Sequence, residues 1–125
     1  MDVRIELLTV PVTDVDRAIG FYVDGCGFAL DHDVRVDDAT RFVQVTPPGS
    51  ACSIVLDSFT GTMPPGSQKG VQCVVADVDA ARADLLSRGV GCTEVDEQPW
   101  GRFVFFADPD GNAWALQELP REGSR

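Results

Sequence analysis

"IELLTVPVTDVDRAIGFY", residues 5–22, changes its period in the middle. Leu8, Val10 and Val12 alternate with Leu7, Thr9 and Pro11, which is the period of two expected of a strand. Beyond Asp14, the residues Val15, Ala18, Ile19 and Tyr22 fall at i, i+3, i+4 and i+7, the apolar stripe of a helix. Asp14 stands at the N-cap, and Asp16 lies in the first turn, where the helix dipole favours an acid. Gly25 and Gly27 are expected to end the helix. The same text returns as "VQCVVADVDAARADLLSRG", residues 71–89. Aligning Asp77 with Asp14 brings Val71, Cys73 and Val75 onto Leu8, Val10 and Val12. Val78, Ala81 and Leu85 form the second helical stripe, and Gly89 closes it.

Each copy is followed by three strand-like segments. After the first come residues 28–36, 40–46 and 52–57, separated by "VDDATR" and "PPGSA", whose prolines cannot donate to a ladder. After the second come "GCTEVDE", "RFVFFA" and "NAWALQEL", with "DPDG" turning between the last two. The segment "SFTGTMPPGSQKG", from Ser58, is a polar linker. The chain is therefore expected to be one α+β domain of two βαβββ modules, about 4–57 and 70–119, joined by residues 58–69. One helix covers only one face of each sheet. Two modules placed edge to edge would curl the open faces into a mixed-sheet cup, a natural small-molecule site.

Composition narrows the function. A length of 125 residues suits a single core. No apolar run approaches the roughly 18 residues that span a bilayer, and "MDVRIELL" has no basic n-region, so a cytoplasmic location is expected. The formal net charge of −10 argues against nucleic acid and anionic membranes, which need clustered Lys and Arg, and permits a cationic ligand. Cys26, Cys52, Cys73 and Cys92 form no C-x-x-C pair and no zinc spacing. Cys73, set among valines, reads as a small buried hydrophobe.

"VTDVDRAIGFYVDGCGF" (12–28), "VADVDAARADLLSRGV" (75–90) and "FVFFADPDGNAWALQE" (103–118) together resemble the vicinal oxygen chelate superfamily of glyoxalase I, bleomycin-resistance proteins and extradiol dioxygenases. The resemblance spans about residues 4–119 and implies a glyoxalase-like fold that often dimerises, with modules paired within or between chains. In the metal-dependent members it also implies four cup-facing ligands, a His near the start of each module's first strand and a Glu on each last strand. Carried across, the His positions are Leu7 and Gly70, or Val71 if the register slips by one. The Glu positions are Ala115 and, in the first module, a site near Val55. Leu7, Gly70 and Ala115, the three better-aligned positions, offer no metal ligand, so no metal or other cofactor is expected. Glu6 and Glu118 lie an odd number of residues away and should face out of the cup unless a bulge turns them inward. Asp57 is the one acid in "CSIVLD", and His32 in "DHD" reads as a solvated residue.

Alternation places Leu7, Thr9, Pro11, Phe42, Gln44 and Thr46 on the cup face of the first module. It places Gln72, Val74, Ala113, Ala115 and Gln117 on that of the second. Such a lining suits an amphipathic ligand and holds no acid–base or nucleophile–base pair, which favours binding over catalysis. The candidate ligand-binding residues are Thr9, Phe42, Gln44, Gln72, Trp100, Arg102 and Gln117. In "QPWGRF", Trp100 either walls a ligand or packs the module interface, and Arg102 either holds a carboxylate or pairs with a surface acid. The run Phe103–Phe106 reads as core, and Trp114 as a structural residue facing the helices.

Three readings follow. The first is a metal-independent binding protein that sequesters a drug or metabolite. The second is a metal-dependent lyase, isomerase or dioxygenase of the glyoxalase type with displaced ligands and a divalent metal. The third is an interaction module whose cup is filled by its own side chains. A homodimer is expected, because paired modules leave sheet edges that a second copy can cover.

Overall fold

The computed structural model describes residues 1–58 and 62–121. Of the linker expected at 58–69, residues 59–61 lie outside the described residues. The first module runs β1 (Leu7–Pro11), α1 (Val15–Ile19), a π-helical segment (Gly20–Gly25), β2 (Ala29–Arg35), β3 (Arg41–Thr46) and β4 (Ser53–Asp57). The second runs β5 (Val71–Val74), α2 (Val78–Ser87), β6 (Asp96–Gln98), β7 (Gly101–Ala107) and β8 (Ala113–Glu118).

Both helices start where their caps dictate. Asp14 Oδ1 accepts the Arg17 N–H, and Asp77 Oδ1 accepts the Ala80 N–H, each at 3.1 Å. The first helix does not continue regularly to its glycines. After Ile19 it widens, and the Cys26 N–H reaches back five residues to the Phe21 carbonyl at 2.9 Å. Within this segment Phe21 and Tyr22 meet edge to face, with ring centroids 4.9 Å apart.

The two sheets have the same order, β1-β4-β3-β2 and β5-β8-β7-β6. In each the first strand pairs parallel with the last, and the remaining pairs are antiparallel. One expectation needs correction. The strand read in "GCTEVDE" shrinks to Asp96–Gln98. Its earlier part is held beside β7 at Thr93, whose N–H donates to the Phe105 carbonyl at 2.9 Å and whose hydroxyl accepts the Phe105 N–H at 3.0 Å. A side chain there takes the place of a ladder bond, while Val90 and Cys92 pack against the core.

The helix-facing sides of both sheets share that core. Val10, Val43, Val45, Ile54 and Leu56 of the first sheet meet Phe106 and Trp114 of the second in one buried cluster. The opposite faces therefore look outward. They carry Leu7, Val34, Val74 and Phe105 as exposed apolar residues.

Candidate functional site

The outward face of the second sheet holds the most developed constellation. Gln72 lies opposite Ala115 in the parallel pair, and Phe103 opposite Gln117 in the antiparallel one. These registers set both glutamines and both phenylalanines on one face. Gln72 Nε2 donates to Gln117 Oε1 at 2.7 Å, and Gln117 Nε2 donates to the Trp100 carbonyl at 2.9 Å. Phe103 and Phe105 stack with centroids 5.9 Å apart and planes 4° from parallel. A cavity of about 280 Å³ is lined by Gln72, Asp96, Gln98, Trp100, Phe103 and Phe105. A second, of about 200 Å³, lies along Lys69–Gln72, Phe105 and Ala113–Ala115.

Phe105 overturns the reading of the whole Phe103–Phe106 run as core. Phe103, Val104 and Phe106 are buried, but Phe105 is 40% exposed. Alternation along β7 turns it to the same side as Gln72, and an apolar run by itself does not say which residues share a face. Asp96, Gln98, Phe103 and Phe105 were not among the expected site residues. The pairing of β7 with β8 finds Phe103 and Phe105, and the pairing of β6 with β7 adds Asp96 and Gln98.

On the first sheet, Thr9 is exposed beside Val55, and Gln44 is half-buried opposite Val55 and His32. The Phe42 ring lies 6.3 Å from the exposed His32 ring. The Thr46 hydroxyl bonds the Asp31 carboxylate and lies 2.6 Å from Ser53 Oγ. Thr9, Phe42 and Gln44 thus share one face, and Gln72 and Gln117 another, with Trp100 in the turn beside the second. Within one chain neither face is the side on which the two sheets share their core.

Arg102 is not brought into either group. Pairing opposite Glu118 puts it on the helix side of β7. There its guanidinium lies 2.9 Å from Asp79, 3.0 Å from Glu97 and 3.4 Å from Glu118. The hydrogen bonds to Asp79 and then Glu97 hold it still more firmly protonated than an ordinary arginine. It is occupied as a surface ion-pair hub and offers no arm to a ligand on the Gln72 face.

The positions that a metal would need do not fit one. Leu7, Val55, Gly70 and Ala115 supply no donor atom. Glu118 Oε1 accepts the Val78 N–H at 3.0 Å, so that acid caps α2 on the far side of the sheet. Asp57 is buried at the end of β4 beside Pro11, and Glu6 is exposed ahead of β1. Among the described residues, no group of three or more His, Cys, Asp or Glu is placed to hold a metal ion.

A further cavity of about 230 Å³ lies between the modules on the helix side, lined by Cys26, Phe28, Cys73, Leu85, Phe106 and Leu116 among others. Burial pushes the Cys26 thiol up to about 12 and raises that of Cys73. Neither is an activated nucleophile. No helix among the described residues is long and apolar enough to cross a membrane.

Comparison with known proteins agrees with this architecture. A family model described as Glyoxalase/Bleomycin resistance protein/Dioxygenase superfamily matches residues 4–116. The structure of TnmS3, an antibiotic binding protein from Streptomyces sp. CB03234, is similar at a TM-score of 0.88 and 40% identity, covering 95% of this chain and 98% of that one. A glyoxalase/bleomycin resistance protein from the same Streptomyces is similar at a TM-score of 0.81 and 42% identity, covering 92% and 100%. YetH of Bacillus subtilis (strain 168) is 27% identical over 119 residues, 92% of this chain and 98% of YetH.

Proposed function

The chain belongs to the Glyoxalase/Bleomycin resistance protein/Dioxygenase superfamily, and we propose that it is a binding protein that sequesters a small amphipathic molecule on the Gln72–Gln117 face. The observation that carries this reading is an aromatic surface left open beside an amide pair. Trp100 is 61% and Phe105 40% exposed, and both line the cavity that also contains Gln72. Large aromatic rings are costly to leave in water and gain most by burial against a ligand. The similarity to an antibiotic binding protein supports a drug or metabolite as the occupant.

We take each chain as one domain with modules at about 4–57 and 70–119, and the assembly as a C2 homodimer. A second copy would set its Thr9, Phe42 and Gln44 across from Gln72 and Gln117, curling two sheets into the cup that one chain leaves open. The edge strands β1 and β5 provide unpaired backbone for that contact. Leu7, Leu8 and Val74 provide exposed apolar surface on the same strands. Sedimentation at micromolar concentration is expected to show the dimer, and a lone 13.5 kDa species overturns this arrangement.

The functional test is a thermal-shift screen of amphipathic compounds, cationic antibiotics included, with titration of hits against Gln72→Leu and Phe105→Ala. A ligand that binds the folded chain raises its melting temperature in a saturable way. Hits are expected to lose affinity in both variants, and unchanged affinity in both sinks the reading. One observation favours a second reading, an interaction module. Both ends of the Gln117 amide are spent on protein. That reading expects no small-molecule hit and a protein partner lost with Trp100→Ala.

A further inference from the structure

Trp100 stands in the two-residue turn between β6 and β7, where Gln98 pairs with Gly101. Its side chain is exposed, but its backbone is anchored. The carbonyl accepts from Gln117 Nε2 at 2.9 Å, while Gln117 Oε1 accepts from Gln72 at 2.7 Å. The orientation of the Gln117 amide follows from the chemistry. A carbonyl can only receive, so the NH₂ group must face Trp100. Gln117 is buried, so losing either bond would strand a polar group away from water. Gly101 makes the close approach possible. Its φ is 150°, and a Cβ there would lie 2.9 Å from Gln117 Nε2 and 2.8 Å from the Glu118 carbonyl oxygen. Any side chain at 101 would displace the amide that holds the turn.

The cavity beside this turn has ring surfaces on it. Phe103 is buried and nearly parallel to Phe105, which is open to solvent, and Trp100 lines the same space. Stacked on buried Phe103, Phe105 keeps part of its ring open, and offset stacking on that ring rewards a flat partner over a globular one of equal apolar area. At the rim, the Asp96 carboxylate accepts from Gln98 Nε2 at 3.1 Å. A carboxylate there, on a chain of formal net charge −10, favours a ring that carries positive charge.

We infer that Gln117 is a positioning residue, whose amide fixes Trp100 as a wall of a slot that takes a flat, cationic aromatic ring system on Phe105. This rests on the binding function proposed above and names its ligand class. Gln117 does not touch the ligand. It acts through the Trp100–Gly101 turn, so its contribution to affinity is preorganisation.

The test uses proflavine, a flat tricyclic cation, against 1-aminoadamantane, a cation of compact, non-planar shape, titrated calorimetrically into the full chain. Proflavine is expected to bind at least about tenfold tighter, and Phe105→Ala and Trp100→Ala each to remove at least about tenfold of its affinity. Gln117→Leu is expected to weaken proflavine about three- to tenfold and to increase acrylamide quenching of the exposed tryptophan in the unliganded protein. If Gln117→Leu fails to fold, Gln117→Glu serves, since a carboxylate cannot donate to the Trp100 carbonyl. Equal affinity for the two cations, or Gln117 variants with unchanged quenching and unchanged proflavine affinity, overturns the inference. A non-planar compound whose binding depends on Phe105 overturns only the flat-ring class. The absence of any Phe105-dependent ligand overturns the binding function as well.

Discussion

Tyr22 donates its phenolic proton to Asp108 across the seam between the modules, Oη to Oδ2 at 2.7 Å. The π-helical segment of the first module is thereby tied to the turn between the last two strands of the second. Trp114 Nε1 donates to the same Tyr22 oxygen at 3.0 Å. Asn112 Nδ2 reaches Asp108 at 2.8 Å and the Pro11 carbonyl at 2.7 Å, while its Oδ1 receives the Gln68 N–H at 3.1 Å. The backbone N–H groups of Asp110 and Asn112 complete the shell by bonding Asp108 Oδ1. Each Asp108 oxygen therefore accepts two hydrogen bonds in a buried setting, where satisfied networks rigidify and broken ones are costly.

Removing the phenol should be felt across the seam. Tyr22→Phe is expected to cost about 1–3 kcal/mol, because it strands the Trp114 N–H and takes one donor from Asp108. Asp108→Ala is expected to cost more, since four donors lose their acceptor at once. Urea midpoints at constant slope measure both, and a Tyr22→Phe chain as stable as the parent contradicts the role given to the network.

The helix caps give a smaller effect. Asp77→Ala is expected to destabilise by about 1 kcal/mol through loss of the bond to the Ala80 N–H. Asp77→Asn should recover most of that, because an amide oxygen still accepts. Equal stability of the Ala and Asn variants would count against capping.

Gly66 has a φ of 80° and its N–H donates to the Pro11 carbonyl at 3.0 Å. A Cβ at this position would lie 2.0 Å from the Asp110 carbonyl oxygen. Gly66→Ala is therefore expected to cost at least about 1 kcal/mol, from the left-handed backbone and the collision together. Thermal unfolding tests this, and an unchanged melting temperature shows that the turn can move aside.

Stability should fall in mild alkali. The Cys26 thiol is pushed up to about 12 by burial, whereas an unfolded cysteine titrates near about 8.5. Between those values the folded chain keeps a proton that the unfolded chain has lost, so unfolding is favoured as pH rises. Tyr22, raised by burial and by Asp108, acts in the same direction at higher pH. The urea midpoint is expected to be lower at pH 10 than at pH 7.5, with a shallower fall in Cys26→Ala. A midpoint that rises over this range would be the wrong sign.

Metal retention offers a separate check. After exposure to Zn²⁺, Ni²⁺, Mn²⁺ or Fe²⁺ and desalting, an untagged protein is expected to keep less than about one equivalent, because Leu7, Val55, Gly70 and Ala115 offer no ligand atoms. Stoichiometric metal located on either outward face would contradict this.

The sequence by itself determined whatever depends on near neighbours. Asp14 and Asp77 mark the helix starts because a cap acts within one turn. The placing of Glu118 off the cup face, on the helix side of β8, was legible because side chains alternate along a strand whatever the strand packs against. The repeat of residues 5–22 at 71–89 marked out the two modules, and together with residues 103–118 it carried the family resemblance. The candidate site was legible only in part. Thr9, Phe42, Gln44, Gln72 and Gln117 could be assigned to faces by parity. Yet no local rule says that the helix sides of both sheets share one core. Tertiary structure alone decided that Phe105 is open, that Arg102 is held by three acids, and that Gln117 is spent on Trp100. Each of these depends on which strands lie side by side, and in what register. That is settled by burying one shared apolar core, a free energy to which residues far apart in the chain contribute together.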